Sequence, residues 1–326
     1  MEEFLRKIFV KFLKPLGIEA IRVLDHEIHR TYTRGAPNHS EYLHNAYWER
    51  QARLWDDCAP PMRPSLAEIE IYRIFFKQQT KKANILILGS TPELRDLVSE
   101  ETDADIYVAD FCYDMPAMML KFTKNVDPRR EKWIKNNWLD LPFPANFFDV
   151  ILGDVVLHQV SPRFESAFLT KVRSLLRRDG FFITRFFFLN ENFLQNDLGD
   201  ITDKILNGAF ASKQKLTLLK LQTVWLFADL KMRRFDRRRS AQKFNEMLAE
   251  KRLSDPILER AGATLAADKD SYRDWAPPEE SDLLRIISPF FAVIERRNAA
   301  DYPYAAHFPI FLLSPRYGGG NSKNFC

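Results

Sequence analysis

Glycine is scarce in this sequence, at 11 of 326 residues, so most tight turns must be made by other residues. Cysteine is scarcer: Cys58, Cys112 and Cys326 are odd in number and far apart. They supply neither a disulfide framework nor a zinc site, no metal is expected, and a reducing, cytoplasmic setting fits them. No apolar run approaches the ~18–20 residues needed to span a bilayer. Charge of one sign does not dominate either. The net charge of +4 gives no argument for nucleic acid, which calls for basic residues gathered on one face. What is present is a globular composition, 46% hydrophobic and 28% charged, with 27 phenylalanines.

The first residues, MEEFLRKIFVKFLKPLG, make a poor signal peptide because they open with two acids. Phe4, Leu5, Ile8, Phe9, Phe12, Leu13 and Leu16 follow helical spacing. Such a helix packs on the protein's own core or on a partner subunit, as in a homo-oligomer. With its flanking basic residues it also has the form of a membrane-surface helix. Residues 1–80 are expected to form a helical lid over a substrate region, broken by APPMRPS at 59–65.

From Ala83 short apolar runs alternate with amphipathic segments: NILIL (84–88), DIYVA (105–109), EKWIKN (131–136), FFDVIL (147–152) and GFFITRFFF (180–188). This order predicts an α/β fold, a doubly wound Rossmann-like sheet spanning 81–189 and 282–318. FFAVIERRN (290–298) and PIFLLSP (309–315) read as closing strands, and their short connection lets the last insert antiparallel. Residues 190–281 read as a helical insertion with no strand, shaping a substrate pocket. Residues 319–326 read as a flexible tail.

In a doubly wound sheet, ligands bind beyond the carboxyl ends of the strands where strand order reverses. The first such turn is GSTPEL (89–94). Gly89 permits the sharp exit and a close backbone approach. Thr91 before Pro92 reads as an N-cap with proline at the first helical position. Glu93 suits the helix dipole but repels a pyrophosphate, so the turn fits a cofactor carrying positive charge better than NAD. Asp110 follows Gly89 by 110 − 89 = 21 residues, close to the ~20 expected for an acid bonding ribose hydroxyls.

NNWLDLPFPANFFDVILGDVVLHQV (136–160) and LLRRDGFFITR (175–185) complete a series that resembles class I S-adenosylmethionine-dependent methyltransferases of the small-molecule type. The likeness covers roughly residues 83–188. It implies that the turn at Gly89, Ser90, Thr91 and Glu93 passes the methionine part of the cofactor and that Asp110 is the ribose acid, with Phe111 next to it. It also implies that Met115 packs on adenine and that Asn137, beside Trp138, receives the adenine amino group. Gly153 and Asp154 then end the fourth strand near the reactive methyl. Ile87, where the family commonly has an acid, and the glycines replaced by Thr91 and Glu93 depart from the pattern.

Methyl transfer to a hydroxyl or ammonium calls for a base, and His158 or Asp154 are the candidates. Asp154 is equally suited to holding a cationic substrate or the cofactor's amino group. Tyr47 and Trp48 are candidate substrate walls, excluding water and favouring a sulfonium. Arg63 is a candidate for the cofactor carboxylate and Arg185 for an anionic substrate. The run KMRRFDRRR (231–239) reads as a solvated helix face. Without interleaved aromatics, and with GDVV where amine-targeting nucleic-acid enzymes often carry NPPY, it argues against a nucleic-acid substrate. The reading is an enzyme methylating an oxygen or nitrogen of a small-molecule acceptor, with S-adenosylhomocysteine as product. Its rivals are a noncatalytic methyltransferase-fold binding or scaffold protein and an NAD-dependent oxidoreductase.

Overall fold

A computed structural model describes residues 52–79, 83–112, 114–194, 196–251, 255–269 and 274–317. The N-terminal amphipathic segment, Tyr47, Trp48, Cys326 and the tail at 319–326 lie outside these residues.

The core is a 7-stranded sheet of β1 (Asn84–Leu88), β2 (Asp105–Asp110), β3 (Glu131–Lys135), β4 (Phe148–Asp154), β5 (Leu176–Arg185), β6 (Phe291–Arg297) and β7 (Ile310–Pro315). The spatial order is β3-β2-β1-β4-β5-β7-β6. The first five strands pair in parallel, and β7 runs antiparallel to both β5 and β6. The antiparallel last strand expected from its short connection is present. In β1, Ile85 and Ile87 join the core on one face, while Leu86 and Leu88 join the other. Apolar residues on both faces are what a covered parallel strand needs. One boundary shifts: β5 begins at Leu176 rather than Gly180, because Leu176 already pairs with Phe148 ahead of an irregularity in β4.

One face is covered by α1 (Leu66–Gln78), α2 (Pro92–Glu101) and α3 (Asp114–Met119), and the other by α4 (Glu165–Leu175) and α9 (Glu280–Ile287). In α4, Phe168, Leu169, Val172 and Leu175 are buried at the helical spacing the sequence displays. The N-terminus of α1 is a capping box: the Ser65 hydroxyl accepts from Glu68 N, and the Glu68 carboxylate accepts from Ser65 N.

Residues 190–281 contribute α5 (Leu198–Asn207), α6 (Ser212–Leu226), α7 (Arg237–Lys251) and α8 (Pro256–Asp268). Two corrections belong here. The segment does contain strand: Ala228–Asp229 pairs antiparallel with Arg234–Phe235 where the chain turns from α6 to α7. The run 231–239 is therefore not one helix face. Arg233 places its guanidinium on both oxygens of Glu165 at 2.8 and 2.7 Å, Arg234 pairs with Asp274, and the helix starts only at Arg237. Among the described residues no helix is long and apolar enough to cross a membrane.

Candidate functional site

Strand order reverses between β1 and β4, and a cavity of about 680 Å³ opens beyond their carboxyl ends. It falls within the range of ~300–1,000 Å³ usual for small-ligand sites.

Its first wall is polar and made largely of backbone. Gly89 has φ +82°, a conformation that disfavours any side chain, although an added Cβ would meet nothing closer than Trp138 at 3.8 Å. The glycine is thus required by the turn and not by lack of room. Gly89 N donates to Ala109 O at 2.8 Å, tying the turn to β2. Beside it the Ser90 hydroxyl donates to Asp110 Oδ2 at 2.7 Å, and Cys112 N donates to Oδ1 at 3.1 Å. Burial pushes the Asp110 carboxyl up to about 6, against the opposing pull of these bonds. The Trp138 indole N–H donates to Ala109 O at 2.9 Å, which fixes the ring across the end of β2. Asn137 Oδ1 accepts from Leu139 N at 3.0 Å, so this side chain first of all stabilises the turn it stands in. Gly89, Ser90, Thr91, Asp110, Phe111, Met115, Asn137 and Trp138 all line the cavity.

Four candidates, Arg63, Glu93, Gly153 and Arg185, do not line it. Arg63 Nε donates to Glu93 Oε1 at 2.6 Å and Nη2 meets the same oxygen, so these two side chains face each other. A free Arg63 for the cofactor carboxylate is therefore corrected. So is the expected repulsion of a pyrophosphate by Glu93, since Arg63 compensates that charge. Thr91 occupies the N-cap position ahead of Pro92, but its side chain makes no capping bond. Gly153 is enclosed: its carbonyl accepts from the Tyr72 hydroxyl at 2.7 Å, and an added Cβ would lie 2.7 Å from Val156. Arg185 is fully buried and holds Asp154 with two bonds, 2.7 Å to Oδ1 and 3.1 Å to Oδ2. Its remaining donors reach Glu68 Oε2 at 2.7 Å and Pro61 O at 2.8 Å. Without an exposed atom Arg185 meets no substrate, which corrects that expectation.

The resulting cluster is one arginine between two carboxylates, with the Tyr302 hydroxyl donating to Glu68 Oε1 at 2.6 Å. Glu68 thus caps α1 and anchors β5 at once. Asp154 remains on the cavity surface, where burial raises its carboxyl to about 6 and Arg185 opposes the rise. Next to it Val155 has φ +53°, a left-handed conformation that is a genuine outlier for a β-branched residue. Strain of this kind at a strand end is often found at functional sites. Composition and spacing carry no signal for it.

The second wall is aromatic. His158 lies in the turn Leu157–Gln159, its carbonyl accepting from the Trp275 indole N–H at 2.7 Å. Its ring stands edge-on to Phe187 at 5.4 Å and to Phe235 at 6.3 Å between centroids. Phe187 in turn stacks on Phe308 at 4.6 Å and tilts against Trp225 at 5.0 Å. Trp225, Phe235 and Trp275 come from residues 190–281 and line the cavity, though sequence reasoning had singled out none of them. Their only signal is that aromatics close the apolar stretches of the insertion.

A family model described as "Methyltransferase domain" matches residues 93–184, from the start of α2 to the end of β5. Residues 93–184 are thus similar to a methyltransferase domain, over 92 of the 326 residues. The match begins at Glu93, so the variant turn Gly89–Thr91 lies just outside it. No curated protein matches the chain. Among solved structures, a Rhodobacter sphaeroides protein provisionally described as a Zn-dependent alcohol dehydrogenase is 16% identical, covering 86% of this chain and 100% of its own, with TM-score 0.53. At that identity the likeness is one of fold alone. The 1,6-didemethyltoxoflavin-N1-methyltransferase of Burkholderia thailandensis is 13% identical over 87% of this chain and 92% of its own, with TM-score 0.47. The N-methyltransferase NodS of Bradyrhizobium japonicum WM9 is 11% identical over 84% and 100%, with TM-score 0.45.

The first wall of the cavity has the chemistry of a nucleoside site. A carboxylate already turned into the cavity, a positive-φ glycine beside it and the apolar faces of Met115, Phe111 and Trp138 suit a nucleoside with vicinal hydroxyls.

Proposed function

We propose that this protein methylates an oxygen or nitrogen of a small, flat acceptor molecule. The observation that carries the reading is the meeting of two unlike walls in one cavity, a polar cradle at Gly89–Asp110 and an aromatic chamber around His158. When bound, S-adenosylmethionine supplies an activated sulfonium methyl group. Asp110 accepts from the ribose hydroxyls, with Ser90 holding the carboxylate in place. Met115, Phe111 and Trp138 pack against adenine, and Asn137 borders it. Trp225, Phe235, Trp275 and Phe308 enclose the acceptor and keep water from the reacting atoms, so that proximity does most of the catalytic work. His158 takes the acceptor's proton. Asp154, already held by both its oxygens, serves as a fixed negative charge beside the cationic cofactor and not as the base. The helical segment 190–281 shapes the acceptor pocket. The buried free thiols of Cys58 and Cys112 suit a reducing, cytoplasmic setting.

Thermal-shift titration tests the reading. S-adenosylmethionine and S-adenosylhomocysteine should raise Tm in a concentration-dependent way, and NAD should not. Absence of a shift with both methionine derivatives would remove the methyltransferase reading. A shift without labelled methyl transfer to any acceptor would favour the noncatalytic one.

A further inference from the structure

The helix α6 runs alongside the segment 54–62, and its contacts are periodic. Lys213 reaches Asp56 Oδ1 at 3.2 Å, and the Thr217 hydroxyl accepts from Ala59 N at 3.1 Å. Lys220 follows three residues further on, on the same face of the helix. It is half-buried and lines the cavity together with Trp55, Cys58 and Met62. This wall adjoins the Gly89 turn, because Arg63 at its end pairs with Glu93 on α2, the helix that follows the turn.

The charges here do not cancel. Asp56 is taken by Lys213, Asp57 by Arg260 at 2.7 Å, and Glu93 by Arg63. The charged groups around the Cys58 thiol are Lys220, Arg63, Asp57 and Glu93, and both acids are already paired. Among the described residues Lys220 makes no ion pair. On the same wall the Trp55 indole Nε1–H is buried and has no acceptor among the described residues. Two donors without partners, one charged and one neutral, thus border a cavity next to the cofactor turn. An indole N–H buried without a partner is a cost that a bound acceptor would recover.

We propose that Lys220 Nζ and Trp55 Nε1–H form a carboxylate-binding subsite on this wall of the cavity. The inference rests on the methyltransferase reading above and deepens it. Lys220 takes the role that Arg63, committed to Glu93, does not fill. The carboxylate comes either from the amino-acid end of the cofactor or from the acceptor, and the experiment separates the two.

Wild type, Lys220→Met, Lys220→Arg and Trp55→Phe are titrated with S-adenosylhomocysteine and with 5′-methylthioadenosine, which keeps the nucleoside and lacks the carboxylate. Their S-adenosylhomocysteine complexes are then titrated with benzoate and with uncharged benzamide. If the carboxylate is the cofactor's, Lys220→Met weakens S-adenosylhomocysteine about tenfold or more. Methylthioadenosine is then unaffected, Trp55→Phe gives a smaller loss of the same kind, and Lys220→Arg restores most of the affinity. If it is the acceptor's, both nucleosides bind all four proteins alike, and the preference for benzoate over benzamide is lost in Lys220→Met. Equal weakening of both nucleosides, or no change in either comparison, overturns the subsite. Failure of the wild type to bind either nucleoside would instead remove the methyltransferase reading itself.

Discussion

The two walls of the cavity are built on different physical terms. The wall at Gly89–Trp138 is made of strand ends, a positive-φ turn and hydrogen bonds to backbone, with Ser90 and Cys112 N positioning one carboxylate. The wall around His158 is made of rings from the fifth strand's exit, the 190–281 segment and the final loop, positioned by packing. The first kind tolerates little substitution because each bond has a fixed geometry, and the second accepts rings of similar size at modest cost. Arg185 joins them, since it grips Asp154 at the end of β4 and Glu68 on α1.

Breaking that joint should have the largest effect. Arg185→Ala leaves two buried carboxylates without their shared cation, an arrangement that costs about 3–5 kcal/mol. Urea denaturation should show the loss, and both walls should fail together as loss of cofactor binding and of turnover. A variant that unfolds at the wild-type urea concentration would show that the walls stand independently. Next, His158→Gln should lower kcat by about a hundredfold or more, as expected for removal of a general base, with the affinity for S-adenosylhomocysteine retained. An unchanged kcat would return the search for a base to Asp154.

Asp110→Ala should do the reverse. On the proposed reading it removes two charge-assisted bonds to the ribose, and it should weaken S-adenosylhomocysteine by about tenfold to a hundredfold in calorimetry. Phe235→Leu should be milder still, raising the acceptor KM a few-fold and leaving cofactor affinity alone. If it disturbs the cofactor as much as the acceptor, the two walls are not separable.

The smallest effect is a pH dependence with opposite signs in two readouts. Burial raises the folded carboxyl groups of Asp110 and Asp154 to about 6, above the ordinary value of 3.8. The folded state therefore holds more protons between pH 4 and 6, and their contribution to stability is fully present at the lower end and lost as pH rises through 6. Cofactor binding favours ionised Asp110, so affinity for S-adenosylhomocysteine should fall as pH drops below 6. In Asp110→Asn that slope should flatten.

The same contrast explains what could be read from the sequence. Gly89 and Asp110 could be placed at the cavity from their spacing at two strand ends, and Ser90, Met115, Asn137 and Trp138 from the resemblance; all six line it. The parallel sheet and the antiparallel last strand followed from apolar runs and one short connection. Trp225, Phe235 and Trp275 were not legible, since packing across an insertion leaves no fixed spacing. Arg63 and Arg185 were assigned to ligands because arginine suits carboxylates, and both do bind carboxylates. Those carboxylates belong to the protein: Glu93 for one, Asp154 and Glu68 for the other. Sequence names the chemistry of a guanidinium, while its partner is decided by tertiary proximity. The small ribbon at Ala228–Phe235 was missed for a related reason, because two-residue strands have no period to detect.

The helical segment leaves the sheet after β5 and returns at α9, between two strands that are next-but-one neighbours in the sheet. It lends three rings to the cavity and none of the groups around Asp110. The arrangement is modular in a practical sense. A graft replacing residues 198–268 with another helical segment of matching end-to-end span would exchange Trp225 and Phe235, two of those three rings, and leave the residues around Asp110 in place. Lys220 would leave with the graft, so the exchange would also report whether the carboxylate subsite travels with the acceptor specificity or has to be rebuilt for the cofactor.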